Sequence, residues 1–134
     1  MKKVINALGL LVVISSVTVA VYASSSAKFT VNGVSVNGKI SYEDTNDYNP
    51  IAADSVTVKT TAKASMDNIR STAKIYYAEG DQLCARENVE AGSNCKSVSS
   101  KVKESKLAVG YRGEGIHYAA HNGKASSRST VVSW

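Results

Sequence analysis

Apolar and polar residues alternate along most of the chain that follows an apolar N-terminal segment. The clearest case is Ser55–Ser65, in which every second residue is small or apolar and the residues between are Thr, Lys or Ser. Ser71–Ala78 repeats this pattern, with Ala73, Ile75 and Tyr77 opposite Thr72, Lys74 and Tyr76. A period of two is typical of a β-strand with one buried face. These segments are therefore predicted to be strands.

Asn-Gly pairs predict where strands turn, because both residues tolerate positive φ. Asn122-Gly123 lies between two alternating segments and is the best hairpin signal in the chain. Asn32-Gly33 and Asn37-Gly38 are two further signals, and the sequence leaves open which of them turns the chain. Glu79–Gln82 is also predicted to be a turn.

The remaining segments favour the same fold class. Met66–Arg70 is interpreted as a connection and the glycine-rich segment Gly110–Gly115 as a flexible loop. No segment beyond the N-terminal one has a sustained helical period. We therefore predict an all-β fold, a small antiparallel β-sandwich of about seven short strands.

The N-terminal segment has the pattern of a signal peptide. Lys2 and Lys3 precede the uncharged apolar stretch Ala7–Ala20. Val21-Tyr22-Ala23 then places an aliphatic and a small residue where a signal peptidase reads them. We predict cleavage after Ala23, with Ala27 as a second acceptable site. The alternative is an uncleaved membrane anchor, although the stretch is short for a span of ~20 residues.

This interpretation divides the chain into residues 1–23, the signal peptide, and residues 24–134, a single secreted domain. The predicted location is extracellular, or periplasmic if the host cell has an outer membrane. The mature chain is predicted to have no transmembrane segment. Nucleic acid is a poor partner for an exported protein, so a component of the cell envelope or an extracellular protein is the expected partner.

Cys84 and Cys95 are the two cysteines of the chain. The residues between them are mostly polar or turn-forming, which favours a loop. In an exported protein an even number of cysteines is expected to oxidise, so we predict a disulfide that clamps two neighbouring strands. Closing so short a loop would stabilise the domain by ~3 kcal/mol. Two free thiols are the alternative, although the spacing is not that of a C-x-x-C motif.

Positive charge is concentrated towards the C-terminus, where residues 96–134 hold seven basic and two acidic residues. If Asn122-Gly123 forms a two-residue turn, His121 lies opposite Lys124 and His117 lies opposite Arg128. We expect this face of the hairpin to point outward, away from an inner face that contains Ile116 and Val131. The predicted anion-binding residues of this basic hairpin face are His117, His121, Lys124, Arg128 and Trp134. The alternative is a solvated polar face without a ligand.

No motif or residue spacing in the sequence identifies a catalytic or metal site. The cluster Asp44–Asn49 offers oxygen ligands for Ca²⁺, but it lacks the central glycine and terminal glutamate of an EF-hand loop, and an ordinary turn is the alternative. There is no G-x-S-x-G motif, and no spacing selects a pair of carboxylates. We therefore predict a protein that is not an enzyme and has no cofactor or metal ion.

The segment Gly115–Trp134 reads Gly-Ile-His-Tyr-Ala-Ala-His at its start and Val-Val-Ser-Trp at its end. It resembles the end of lactococcin-972-type secreted bacteriocins, which are small β-sandwich proteins with an aromatic C-terminus that act on the cell envelope. The resemblance contains no diagnostic motif, and the cysteine pair and the acidic loop Glu43–Ala53 depart from it. No site residue is carried over from that family.

The expected function is that of a secreted bacterial module that binds the cell envelope or an extracellular partner through the basic hairpin face. The first alternative is a bacteriocin-like or toxin-like protein that acts on the envelopes of target cells. The second is an inhibitor of a secreted hydrolase, which would insert the loop between Cys84 and Cys95.

Overall fold

The computed structural model describes residues 21–44, 54–104 and 108–134. These residues form eight β-strands: β1 (Val21–Val31), β2 (Val34–Asp44), β3 (Ser55–Met66), β4 (Asn68–Glu79), β5 (Gln82–Gly92), β6 (Cys95–Lys103), β7 (Val109–His121) and β8 (Lys124–Ser133). They pair antiparallel in two four-stranded sheets, with the order β1-β2-β3-β6 in the first and β5-β4-β7-β8 in the second. The predicted all-β sandwich is confirmed. Its strands are longer and more numerous than predicted, with 9 to 13 residues each.

Positive φ angles identify the turns. Asn32 and Gly33 have φ of 48° and 78° and join β1 to β2, while Asn122 and Gly123 have 49° and 75° and join β7 to β8. Gly80, with φ of 61°, joins β4 to β5. The predicted turns at Asn122-Gly123 and Glu79–Gln82 are thus confirmed. The second Asn-Gly pair, Asn37-Gly38, does not turn the chain and lies inside β2.

The chain crosses between the sheets through very short connections. A single residue, Asp67, separates β3 in the first sheet from β4 in the second. The predicted connection Met66–Arg70 is therefore mostly strand, and its apolar residues Met66 and Ile69 are fully buried. Ser93 and Asn94 return the chain from β5 to β6, with a positive φ of 54° at Asn94.

The core lies between the two sheets. One cluster contains Ile40, Val56 and Val58 of the first sheet with Ile75 and Val132 of the second. A second cluster surrounds Phe29, Met66 and Ile69. The inner faces predicted from the alternation in Ser55–Ser65 and Ser71–Ala78 are confirmed, because those residues bury their small and apolar side chains.

The predicted flexible loop Gly110–Gly115 is wrong, because these residues lie inside the continuous strand β7. A Cβ at Gly113 would come 2.8 Å from Val56 Cγ2, and one at Gly115 would come 2.6 Å from Thr130 Oγ1. Glycine is therefore present because the strand is closely surrounded at these positions, and contacts below 3 Å would force a neighbour to move.

The predicted disulfide between Cys84 and Cys95 is also wrong, and both residues are half-buried free thiols. Cys84 pairs with Tyr77 near the start of β5, whereas Cys95 lies just beyond the other end of that strand. The segment between them is not a loop, because its residues from Ala85 to Gly92 are all paired with β4. Eight extended residues from Cys84 to Gly92 span about 27 Å. A disulfide requires Cα atoms about 4 to 7 Å apart.

Two predictions fall on the N-terminal segment and the acidic loop. Residues 1–20, and with them most of the predicted signal peptide, lie outside the described residues, as do residues 45–53, which include most of the Asp44–Asn49 cluster of the Ca²⁺ hypothesis. Strand β1 begins at Val21, so cleavage after Ala23 would start the mature chain within this strand. Over the described ranges, no helix has the length and apolar character needed to cross a bilayer.

Candidate functional site

The hairpin register predicted for the C-terminal residues is confirmed, but its outward face is wrong. His117 pairs with Arg128 and His121 pairs with Lys124. His117 nevertheless points between the sheets and is fully buried, whereas Ile116 and Val131 on the opposite face are 46% and 42% exposed. The two faces are therefore inverted relative to the prediction.

His117 is buried because both of its ring nitrogens find hydroxyl partners in the core. Its Nδ1 lies 3.0 Å from Thr60 Oγ1 on β3, and its Nε2 lies 2.9 Å from Thr130 Oγ1 on β8. Thr60 Oγ1 continues the network to Ser71 Oγ at 2.7 Å, and Ser71 donates to the carbonyl oxygen of Val98 at 3.1 Å. The imidazole thus links the two sheets and is not available to a ligand.

Burial also sets the charge of this histidine. Desolvation lowers the pKa of His117 to about 4 from its ordinary value of 6.5. Since removal from water disfavours the imidazolium, the ring is neutral at pH 7. One ring nitrogen then donates a hydrogen bond and the other accepts one, which hydroxyl partners on both sides can satisfy.

The structure does not bring the other predicted site residues together on one surface. Trp134 stacks on Tyr42 with ring centroids 3.9 Å apart and an interplanar angle of 9°, and it packs against the core. Lys124 is exposed at the far end of β8 from Trp134. Arg128 lies over the ring of Phe29 at 5.8 Å, and His121 Nδ1 lies 3.8 Å from Asp67 Oδ1. The basic hairpin face is therefore not a continuous binding surface.

A different basic surface forms on the outer face of the first sheet. We call it the lysine face, and it consists of the exposed residues Lys28, Lys39, Lys59, Lys63, Lys101 and Lys103. Serines and threonines such as Ser41, Thr57 and Ser99 lie between the lysines. Among the described side chains of this face, Glu43 is the only acidic one, and it lies at one end.

The register places like charges next to each other on the lysine face. Lys39 of β2 lies directly opposite Lys59 of β3. Lys101 of β6 is opposite Thr57 and therefore diagonal to Lys59. Like charges directly opposite on neighbouring strands are destabilising. Neither of the two salt bridges in the described part of the chain involves these lysines. The face therefore has a positive electrostatic potential, and a bound anion would reduce the repulsion between its lysines.

The outer face of the second sheet has a different character, and we call it the aromatic face. All six large apolar side chains that are exposed in the described residues belong to it: Leu83, Val89, Val109, Tyr111, Ile116 and Val131. Cations lie against its rings, with Arg70 at 4.8 Å from the centroid of Tyr118 and Lys74 at 4.9 Å from that of Tyr76. The two outer faces of the sandwich therefore present different chemistry.

Two buried carboxylates, which the sequence did not single out, lie at the end of the sandwich near Trp134. Glu104 Oε1 accepts a hydrogen bond from the backbone N of Asp54 at 3.1 Å, and Asp54 Oδ2 accepts one from the backbone N of Gly110 at 3.3 Å. Their residues are only 3% and 1% exposed. They connect the start of β3 to the β6–β7 segment, and substrate could not reach them without local opening.

No three His, Cys, Asp or Glu side chains converge as metal ligands in the part of the chain that the structure describes. Comparisons of the chain with protein-family models, with curated proteins and with solved structures find no match. The candidate site therefore depends on the geometry of the two outer faces.

Proposed function

We propose that this domain is an exported, non-enzymatic bacterial module that binds a phosphate-bearing anionic surface of a cell envelope through the lysine face. The observation that carries the proposal is the collection of six lysines on one outer face, whose described side chains include a single acidic residue. A surface of one sign attracts the opposite charge and raises its local concentration.

The ammonium groups of the lysine face favour a ligand with many separate negative charges. The basic residues of the face are all lysines, and an ammonium group acts as a compact point charge without the fixed fork of a guanidinium. Lysine is well suited to phosphate in this role, whereas planar bidentate recognition favours arginine. The face is the outside of a sheet and not a concave pocket, so a repeating anion is favoured over a small molecule.

The predicted export signal supports an envelope ligand over a nucleic acid. Proteins that bind single-stranded nucleic acid combine a basic groove with aromatic side chains on which bases stack. The described side chains of the lysine face include no aromatic residue. Envelope polymers and lipids with phosphate groups need charge neutralisation but no stacking.

The two alternatives expected from the sequence are an inhibitor of a secreted hydrolase and a bacteriocin-like protein. An inhibitor was expected to insert the segment between Cys84 and Cys95 as a loop, but this segment is the paired strand β5. A bacteriocin-like activity remains compatible with binding to an envelope. It requires in addition that the bound protein damages the membrane or stops growth.

The test compares two variants that remove the same charge from different places. Lys39→Gln with Lys59→Gln acts on the lysine face, and Lys124→Gln with Arg128→Gln acts on the C-terminal hairpin. The probes are long-chain inorganic polyphosphate and vesicles of phosphatidylglycerol, with phosphatidylcholine vesicles as the neutral control. We expect the first variant to lose at least about tenfold in affinity for a phosphate-bearing probe and the second to lose much less.

Equal losses in the two variants would reduce the proposal to an effect of net charge and would contradict it. Binding to phosphatidylglycerol without binding to polyphosphate would identify the lipid surface as the ligand, and the converse would identify a polymer. Release of an entrapped dye from the phosphatidylglycerol vesicles would favour the bacteriocin-like alternative over a passive binding module.

A further inference from the structure

The aromatic face has the composition of a protein–protein interface. Tyrosine and arginine are enriched at the centres of such interfaces, while lysine is depleted. This face holds Tyr76, Tyr111, Tyr118, Arg70 and Arg112. The lysine face holds none of these residue types among its described side chains. The two sides of the sandwich are therefore suited to different partners.

Its side chains are also partly fixed in place before any partner binds. Arg112 lies 5.6 Å from the ring centroid of Tyr76 and forms a salt bridge with Glu114 at 2.6 Å. The hydroxyl of Tyr76 donates to Glu114 at 2.8 Å, and Tyr111 lies beside Tyr76 with ring centroids 6.4 Å apart. Side chains that are already ordered lose less conformational entropy when an interface forms.

The area of the face matches that of a stable dimer. Four strands at about 4.8 Å spacing are about 19 Å wide, and strands of this length extend for about 40 Å. The face therefore offers about 760 Å², against about 800 Å² per partner in a standard interface. Large exposed apolar side chains on a face of this size are characteristic of an interaction site.

Charge favours a second copy of the chain as the partner. Residues 24–134 hold 14 basic and 11 acidic residues, a net charge of +3, so two copies repel each other over most approaches. The aromatic face contains both signs, with Arg70, Lys74 and Arg112 against Glu87 and Glu114. Two aromatic faces can therefore meet with opposite charges in contact, whereas two lysine faces cannot.

We propose that two copies of this chain dimerise face to face through the aromatic face, with Ile116 and Val131 in the interface. A symmetric dimer of this kind uses the same patch on both copies. It would bury the exposed apolar side chains and leave the two lysine faces on its outside. If the lysine face binds a repeating anion, each dimer could bind it twice.

The experiment is sedimentation velocity of the purified chain in buffer without any anionic ligand. Concentrations from about 1 to about 100 µM detect both weak and strong association. The wild type is expected to sediment as a dimer within this range. The variant Ile116→Lys with Val131→Lys should raise the dimer Kd at least about tenfold, because it puts like charges into the interface. The control Ser41→Lys with Thr61→Lys adds the same charge to the lysine face and should leave the dimer intact.

A wild type that stays monomeric at the highest concentration would overturn the proposal and leave the aromatic face to a different partner. A dimer that survives the Ile116 and Val131 substitutions would overturn it as well. Val89→Lys is a second variant on the same face, for use if the first does not melt cooperatively. Because the measurement contains no anion, its outcome is independent of whether the lysine face binds phosphate.

Discussion

The imidazole of His117 occupies the space that a side chain at position 38 would need. A Cβ added to Gly38 in the first sheet would come within 2.6 Å of Nδ1 of His117 in the second. We expect Gly38→Ala to reduce the free energy of unfolding by about 2 to 3 kcal/mol, because overpacking a core forces side chains and backbone to shift. Denaturant unfolding measures this, with Asn37→Ala on the exposed side of the same strand as the control. An equal effect of both substitutions would contradict the packing argument.

The depressed pKa of His117 predicts that acid destabilises the protein. The folded state has a pKa of about 4 and the ordinary value is 6.5, so the unfolded chain binds more protons between these two pH values. Stability from this group is fully present above about pH 6.5 and is lost as the pH falls towards 4. The loss is at most about 3.5 kcal/mol, because one pKa unit corresponds to about 1.4 kcal/mol.

Unfolding free energies of the wild type and of His117→Leu, measured from pH 7 to pH 4, check this prediction. The variant should have lower stability at pH 7 and a shallower dependence on pH. His121→Gln is the matched control, because His121 is only half-buried at the hairpin end. A wild-type curve that stays parallel to that of His117→Leu would exclude the buried histidine as the cause.

The separation of Cys84 and Cys95 predicts two reactive thiols in the unfolded protein under non-reducing conditions. It also predicts that Cys84→Ser costs less than about 1.5 kcal/mol, since it removes no cross-link. Loss of a native disulfide from a small domain would cost about 2 to 5 kcal/mol. A thiol titration in denaturant, together with the melting temperature of the variant, distinguishes these cases. A count of zero thiols would contradict the observed strand pairing of β5.

The stack of Trp134 on Tyr42 predicts that the C-terminal residue stabilises the fold. We expect Trp134→Ala to cost about 2 to 3 kcal/mol, at the low end for a large aromatic residue because the side chain is only partly buried. Trp134→Phe should recover part of this loss by keeping an aromatic contact. Unchanged thermal unfolding in both variants would contradict a stabilising contact between Trp134 and Tyr42.

Much of the fold was predictable from local pattern. Alternation in Ser55–Ser65 and Ser71–Ala78 identified two central strands and their inner faces, because period-two burial is a local property of a strand. The Asn122-Gly123 turn set the register of β7 and β8. Strand β5 was not predicted, because it is mostly exposed on both faces and its burial does not alternate.

The surfaces were not predictable from pattern alone. The histidines were expected on the outside because polarity alone assigned them there, and the hydroxyl partners of His117 come from distant strands. The lysine face was not predicted, because each strand contributes only one or two lysines and only the strand order β1-β2-β3-β6 brings them together. The disulfide prediction failed because it assumed a loop where the chain is extended.

The most direct test of the lysine face is the salt dependence of binding to long-chain polyphosphate. Log affinity should fall linearly with log salt concentration, because each lysine that neutralises a phosphate releases counterions. We predict that Lys39→Gln with Lys59→Gln makes this slope shallower by about 1 to 2, roughly one for each lysine removed. The slope of Lys124→Gln with Arg128→Gln should match that of the wild type. If the Lys39 and Lys59 variant keeps the wild-type slope, the lysine face is not the binding surface.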